Sequence, residues 1–281
     1  MNRCDVVVLK FQKIIIIIKS CLAARRVSVP YTMSFQDHFS RQSAMYLKAR
    51  PTYPDELFEY LAGLVPGKDL CWDCATGNGQ AAISISPYFN KIIATDGSAQ
   101  QIEKAMKREN IDYRVATAEQ SGLPDHSADL ITVATAAHWF EHDKFYAEAK
   151  RVAKPNGILA VWAYSEASIS PEIDALMEWF MYDFLQNYWP PGRWYVRNSY
   201  ETLPFPFTVI ATPQFFCKMN WNRLQWLNYI QSWSAYNNYV AAHNTDPLDV
   251  LMPKLQLLWT EETRQICWKL HLKCTRLNVN V

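Results

Sequence analysis

With 281 residues, of which 20% are charged and 49% hydrophobic, the chain can build one large domain or two small ones and is not disordered by composition. Its net charge of +1, from 28 Lys and Arg against 27 Asp and Glu, offers no basic excess for nucleic acid or an acidic membrane, and no run of 18 uncharged apolar residues could span a bilayer. Seven scattered cysteines, an odd count, speak against a secreted disulfide scaffold and for a reducing, cytoplasmic compartment.

The first 32 residues differ from the rest. They carry six basic groups and one acid, whereas the remaining 249 residues carry 22 basic and 26 acidic ones. The isoleucine run Ile14–Ile18 is bounded by Lys13 and Lys19, too short for a membrane span and a poor match to a signal or transit peptide. Residues 1–32 are therefore expected to be a non-native or misannotated extension, with the protein starting at Met33.

From there, strand-like and helix-like segments alternate. Pro54 followed by Asp55, Glu56, Leu57, Phe58 and Leu61 opens a helix with acids in its first turn. Asp69–Cys74 reads as an apolar strand, Ala75–Gly79 as a tight turn, Gln80–Ser86 as a short helix stopped by Pro87, and Lys91–Asp96 as a second strand. Ser98 with Gln101 is a capping box for a helix to about Glu109. Tyr113–Ala116 and Asp129–Ala134 are the third and fourth strands, Asp143 caps a helix through Val152, and Ile158–Ala163 is the fifth strand. This alternation predicts an α/β, doubly wound, mostly parallel sheet with helices on both faces.

Beyond Tyr164 the character changes, and nine of the eleven tryptophans lie past residue 160. Pro171–Asn187 and Asn222–Val240 read as helices, with Trp226, Tyr229, Ile230 and Trp233 at the spacing of a buried stripe. Cys267–Leu277 alternates apolar and polar residues, as an antiparallel strand with one wet face does. The Pro- and Gly-punctuated loop Tyr188–Arg197 carries aromatics that no helix explains, and Arg193 or Arg197 could there grip an acidic substrate.

The turn Asp73–Gly79 sits between a strand and a helix, at the carboxyl edge where doubly wound folds bind ligands. Gly77 and Gly79 let a ligand approach the backbone, and Asp96, at the end of the next strand, can hold ribose hydroxyls. The pattern is not the G-x-G-x-x-G of dinucleotide sites, since Ala75 stands first and Ala82 last, and no P-loop lysine follows Gly79. A cofactor without a pyrophosphate suits it, and S-adenosylmethionine is one.

On these residues the sequence resembles the class I S-adenosylmethionine-dependent methyltransferases, and within them the methyltransferase type 11 group near the trans-aconitate methyltransferases. Asp37–Ser40 and Tyr46–Pro54 resemble the segment that folds over the cofactor; Trp72–Gln80, Ala94–Ser98, Ala116–Glu119 with Leu123-Pro124, Ala137–Phe140 and Phe205–Phe207 resemble further family blocks. The resemblance implies a seven-stranded Rossmann-like sheet with an antiparallel last strand, a single methyltransferase domain over residues 33–281, and an aromatic, α-helical cap at about 164–246. It implies that Asp73, Ala75, Gly77 and Gly79 line the methionine end of the cofactor, that Asp96 holds the ribose, that Ala118 and Glu119 flank the adenine, and that His138 and Trp139 lie where methyl group and substrate meet. Two positions depart from the family: Ala75 replaces a glycine, and Thr117 stands where many relatives carry an acid.

Two other patterns point elsewhere. His138–His142 spells the zinc motif H-x-x-E-H, but His138 directly follows a strand, where both histidines would not share a helical face, and no metal is expected. Cys71 and Cys74 form C-x-x-C inside a strand, on opposite faces, which fits a structural role. The expected activity is methyl transfer to a small organic molecule, with a carboxylic acid as the candidate acceptor. A carboxylate acceptor needs no general base, whereas another acceptor would need one, for which His138 or Tyr46 is the candidate. The alternative is a non-catalytic cofactor binder on the same fold.

Overall fold

The computed structural model describes residues 50–277, all within Asp37–Val281, one of the two units into which the chain divides. The expectations for residues 1–32, Met33, Asp37–Ser40 and Tyr46–Ala49 lie outside the described residues.

Helix α1 (Asp55–Gly63) follows Pro54, carries Asp55 and Glu56 in its first turn, where the helix dipole favours acids, and buries Leu57, Phe58, Leu61 and Ala62. The chain continues through β1 (Leu70–Cys74), α2 (Gln80–Ile85), β2 (Lys91–Asp96), α3 (Ala99–Glu103), β3 (Ile111–Val115), β4 (Ala128–Ala134), α4 (His142–Val152) and β5 (Ala153–Ser168). There follow α5 (Pro171–Trp179), α6 (Arg193–Arg197), β6 (Phe216–Asn222), α7 (Arg223–Gln231), α8 (Ser234–His243), α9 (Leu248–Leu258) and β7 (Thr263–Arg276). The strands form one seven-stranded sheet in the order β3-β2-β1-β4-β5-β7-β6. β1 to β5 pair in parallel, and β7 runs antiparallel to both β5 and β6. The order reverses between β1 and β4, the switch point at which such sheets bind ligands.

The core lies on both faces, because alternate strand residues point to opposite sides. Cys71, Leu130, Ala160 and Trp162 pack with α1, α5 and α7 on one face, and Trp72, Cys74, Ile131 and Val161 pack with α4 on the other. The Cys71/Cys74 pair is thus divided between the two cores, and burial holds both thiols well above their ordinary pKa.

Several boundaries differ from those read in the sequence. α3 ends at Glu103, because the following chain is drawn to the glycine turn: the Met106 N–H donates to the Asn78 carbonyl. α4 starts at His142 with Glu141 as its cap residue, so Asp143 serves the first turn rather than capping it. The stretch Asn222–Val240 is two helices, broken where Ser232 bonds back to the Tyr229 carbonyl. α9 was hidden by Pro253 in its interior. β6 buries only Cys217 and Trp221, too weak an alternation to read as a strand. The helical region therefore does not end near residue 246; β6 interrupts it and it runs on through Leu258.

Trp162 ties these layers together. Its ring is fully buried and meets Tyr53 edge-on at 5.6 Å and Phe58 at 6.3 Å. Trp162→Ala is expected to cost about 3–5 kcal/mol of stability, measured by urea unfolding; a loss under about 1 kcal/mol would show that the ring is not a packing centre.

Candidate functional site

The turn after β1 is held from three sides. Asp73 is fully buried; its Oδ2 accepts from Thr76 Oγ1 at 2.5 Å and its Oδ1 from Thr132 Oγ1 of β4 at 2.7 Å. Burial outweighs these bonds and raises the carboxyl to about 6. The Thr76 N–H donates to the Thr95 carbonyl of β2 at 2.9 Å. Ala75, Gly77 and Gly79 all have left-handed backbones, with φ of 54°, 56° and 86°. Glycine adopts this region freely, but at Ala75 it stores strain. A Cβ on Gly77 would meet nothing within 4 Å, so the space above it is open; one on Gly79 would lie 2.2 Å from the Tyr113 hydroxyl. Gln80 Nε2, at the start of α2, donates to the Pro51 carbonyl at 3.0 Å and ties the segment before α1 to this turn.

Asp96 ends β2 beside the turn. Its Oδ2 accepts from the Gly77 N–H and its Oδ1 from the Ser98 N–H, each at 2.8 Å. The carboxylate thus organises two loops, a role the sequence did not suggest. Across from it, Ala118 is buried and Thr117 is exposed. Glu119 Oε1 accepts from the Glu141 N–H at 3.0 Å, joining this loop to the start of α4. Glu148 fixes the loop from beneath: its Oε1 accepts from the Ser121 N–H and hydroxyl, and Arg151 holds the carboxyl down at about 2.

At the mouth of β4, Thr135 has φ of 54°, an outlier for a β-branched residue. Its Oγ1 lies 3.0 Å from the Tyr53 hydroxyl, and its N–H donates to the Trp162 carbonyl. His138 follows in a 3₁₀ turn, Ala137–Trp139. It is buried, with Nδ1 2.8 Å from the Tyr200 hydroxyl and its ring 4.9 Å from that of Trp139. Burial, with Arg193 and His142 nearby, lowers its imidazole to about 3. His142 Nε2 engages the Ala137 carbonyl at 3.0 Å, so the two histidines of the H-x-x-E-H pattern face separate partners. Among the described residues, no three His, Cys, Asp or Glu side chains could together hold a metal ion.

The segment 188–197, expected as a loop, contains the short helix α6. It packs on the β4 mouth so closely that a Cβ on Gly192 would lie 2.7 Å from the His138 carbonyl. Arg193 Nη2 donates to Glu166 Oε1 at 3.1 Å, and the guanidinium lies 4.8 Å from the centre of the Trp189 ring. Arg197 does not reach Glu166 itself; it lies 3.7 Å over the ring of Tyr182, whose hydroxyl bonds the same Glu166 oxygen as Arg193. Thr135, Tyr200 and Glu166 belong to this neighbourhood and were not read from the sequence; Tyr53, also here, entered only as part of the block Tyr46–Pro54, with no role of its own. Tyr46 lies outside the described residues.

Open space above Gly77, a strand-end carboxylate beside it and a fully buried Ala82 where a dinucleotide site has its third glycine fit a nucleoside cofactor without a pyrophosphate. The sheet order and the turn at its switch point define a class I methyltransferase. Comparison with known proteins agrees. Residues 72–161 match the methyltransferase domain family. A protein of Dictyostelium discoideum named as a methyltransferase is 38% identical over 226 residues, covering 78% of this chain and 85% of its own. A protein of Saccharomyces cerevisiae named as an S-adenosylmethionine-dependent methyltransferase is 23% identical, over 89% of this chain and 94% of its own. A solved structure described as a type II methyltransferase from Anaeromyxobacter dehalogenans superposes with a TM-score of 0.76 at 33% identity, over 82% of this chain and 99% of its own. The chain belongs to the S-adenosylmethionine-dependent methyltransferases, and S-adenosylmethionine is its cofactor.

The burial of His138 has a pH signature. Its folded pKa of about 3 lies below the ordinary 6.5, so its contribution to stability is complete above pH 6.5 and is lost as pH falls and the unfolded chain takes up the proton. Between pH 6.5 and 5 this amounts to about 2 kcal/mol. Asp73, raised to about 6, acts in the opposite sense in this window, so the comparison is wild type against His138→Gln. The difference in urea stability between the two should shrink by about 2 kcal/mol from pH 6.5 to 5; a constant difference would show that His138 is not held neutral.

Proposed function

We propose that this methyltransferase acts on a small organic molecule and that a carboxylic acid is the acceptor its site favours. The observation that carries this reading is the pair of groups at the mouth of β4: an imidazole that burial keeps neutral and, next to it, a half-buried guanidinium. A general base works best with a pKa near the operating pH, and His138 at about 3 is far from it. Of the two roles open to it, pocket positioning and, for an acceptor other than a carboxylate, general base, His138 is better suited to positioning. A carboxylate acceptor needs no base, and Arg193 supplies a group that binds carboxylates.

Residues 33–281 form the methyltransferase domain in this reading. Asp73, Ala75, Gly77 and Gly79 line the methionine end of the cofactor, Asp96 adds the ribose hydroxyls to the two N–H groups it already accepts, and Ala118 and Glu119 flank the adenine. His138 and Trp139 border the acceptor. Arg193 holds the acceptor's acid group, and Arg197 supports that wall through Tyr182. S-adenosylmethionine supplies an already activated methyl group, so the protein's task is to align acceptor and donor and exclude water. A nucleic-acid acceptor is disfavoured by the near-zero net charge. Among the described residues no helix is long and apolar enough to cross a membrane.

Release of S-adenosylhomocysteine with a panel of small carboxylic acids and their amides tests the acceptor class; turnover of amides or amines in preference to acids would refute it. Asp96→Ala should weaken cofactor binding by roughly 2–3 kcal/mol, since it removes ribose hydrogen bonds and frees the Gly77 turn. Calorimetry that finds unchanged affinity in the folded variant would rule out the ribose role. Arg193→Ala should raise the acceptor KM about tenfold or more with cofactor affinity kept, and Arg197→Ala should raise it less; equal KM values for wild type and both variants would remove the arginines from the acceptor site.

A further inference from the structure

Three irregularities of the backbone meet at one small pocket at the carboxyl end of β5. The first is a β-bulge: Tyr164 pairs with Leu270 and Ala167 with Trp268, so β5 holds one residue more than β7 opposite it. Bulges re-aim side chains beside functional sites, and this one places Glu166 in the pocket lining. The second is a π-helical turn, Phe180–Phe184, directly after α5, a rare form that is frequent at functional sites. It brings Met181 to the pocket wall and the Tyr182 hydroxyl onto Glu166 Oε1. The third is the short helix α6, whose first residue, Arg193, completes the lining.

The pocket has a polar end and an apolar body. Met177, Met181, Trp226, Tyr229 and Trp233 form the body. Glu166 and Arg193 form the polar end, paired at 3.1 Å. Two buried donors in the lining, Arg193 Nε and Trp226 Nε1, have no acceptor among the described residues. Buried donors without acceptors are rare and call for an explanation. The Arg50 guanidinium lies 5.5 Å over the Tyr229 ring, adding positive charge to the surroundings. A lining with idle donors and cationic neighbours asks for a ligand that brings acceptor oxygens. The pocket as it stands has room for about one water, so an apolar body enters it as the flexible Met177 and Met181 side chains move aside.

We infer that this pocket is the acceptor subsite and takes a carboxylate with a short alkyl or aryl body, whose oxygens exchange for the Glu166 carboxylate on Arg193. The inference rests on the reading of a carboxylic acid acceptor and adds where the acid lies and what it displaces. Glu166 is then a built-in competing anion. It pairs with Nη2 of the guanidinium when no acceptor is bound and leaves Nε idle, and a neutral molecule cannot replace its charge. Rejection of uncharged analogues follows from that competition.

Binding is the readout, so that no turnover is needed. Hexanoate, hexanamide and hexylammonium are titrated into the full-length protein saturated with S-adenosylhomocysteine, followed by calorimetry and by tryptophan fluorescence, to which Trp226 and Trp233 contribute. Hexanoate should bind about tenfold or more tightly than either of the other two. Glu166→Gln should tighten hexanoate about tenfold, because the competing charge is gone. Arg193→Lys, which keeps the charge but loses the Nε donor and the planar fork, should weaken it about tenfold. S-adenosylhomocysteine binding confirms that each variant is folded. Equal binding of the three probes, preference for hexylammonium, or weaker hexanoate binding by Glu166→Gln would each overturn the inference. Carboxylic acids that are methylated in the turnover assay while Glu166→Gln fails to tighten hexanoate would sink the subsite and leave the acceptor class standing.

Discussion

The Asp73 carboxylate has no access to water, and the way it is satisfied governs the glycine turn at the switch point of the sheet. An uncompensated buried carboxylate costs several kcal/mol. Here one oxygen takes the Thr76 hydroxyl from the turn and the other takes the Thr132 hydroxyl from β4. One side chain therefore joins β1, the loop that follows it and the strand across the switch point. Thr76 lies between two residues with left-handed backbones, Ala75 and Gly77, so its bond holds the tightest part of the turn. Asp96 completes the arrangement from β2 by accepting the Gly77 N–H. The turn keeps its form because β1 bonds into it through Asp73 and β2 through both the Thr95 carbonyl and Asp96, while β4 braces Asp73 itself.

The parallel half of the fold was legible because β1, β2 and β4 are short, apolar and bounded by turn signals, and because each crossover helix opens with an acid, a cap or a glycine. The region after β5 was legible only in part, and for identifiable reasons. Pro253 sits inside α9, where local rules place a break. β6 is an edge strand that buries two of its seven residues, so its alternation is faint. The split between α7 and α8 depends on a serine that bonds back to its own helix, an outcome that tertiary packing selects. At the site, Asp73, Gly77, Gly79 and Asp96 were readable because they share one turn and one strand end. Glu166 was not, since its direction is set by a one-residue mismatch with β7, a strand about a hundred positions further along the chain. Tyr200 was hidden for the same kind of reason: only the packed structure brings it to His138.

The aromatic residues divide into two populations. Trp162, Trp268 and Trp226 are buried core, and they bring the sheet and the helical region into one packed face. Trp189, Tyr182 and Trp139 are half-buried and are each set against a charged or titratable group: Arg193, Arg197 and His138. Rings of the second kind cover a guanidinium or an imidazole without neutralising it. A cleft walled this way is dry and still polar at chosen points, the environment in which electrostatic positioning is strongest.

The position of β7 bears on how the chain reaches this state. It is the last of the seven strands in sequence, yet it lies inside the sheet, between β5 and β6. β5 and β6 have no ladder to each other; each is joined only through β7. During synthesis the five parallel strands can assemble as they emerge, but β6 must wait, and the outer edge of β5 stays open until Thr263–Arg276 has left the ribosome. Pairings of such large sequence separation are slow to form, and an open strand edge is prone to wrong partners. The helical region and the pocket at the end of β5 are therefore completed by the final strand, so that this side of the sheet forms after the glycine turn.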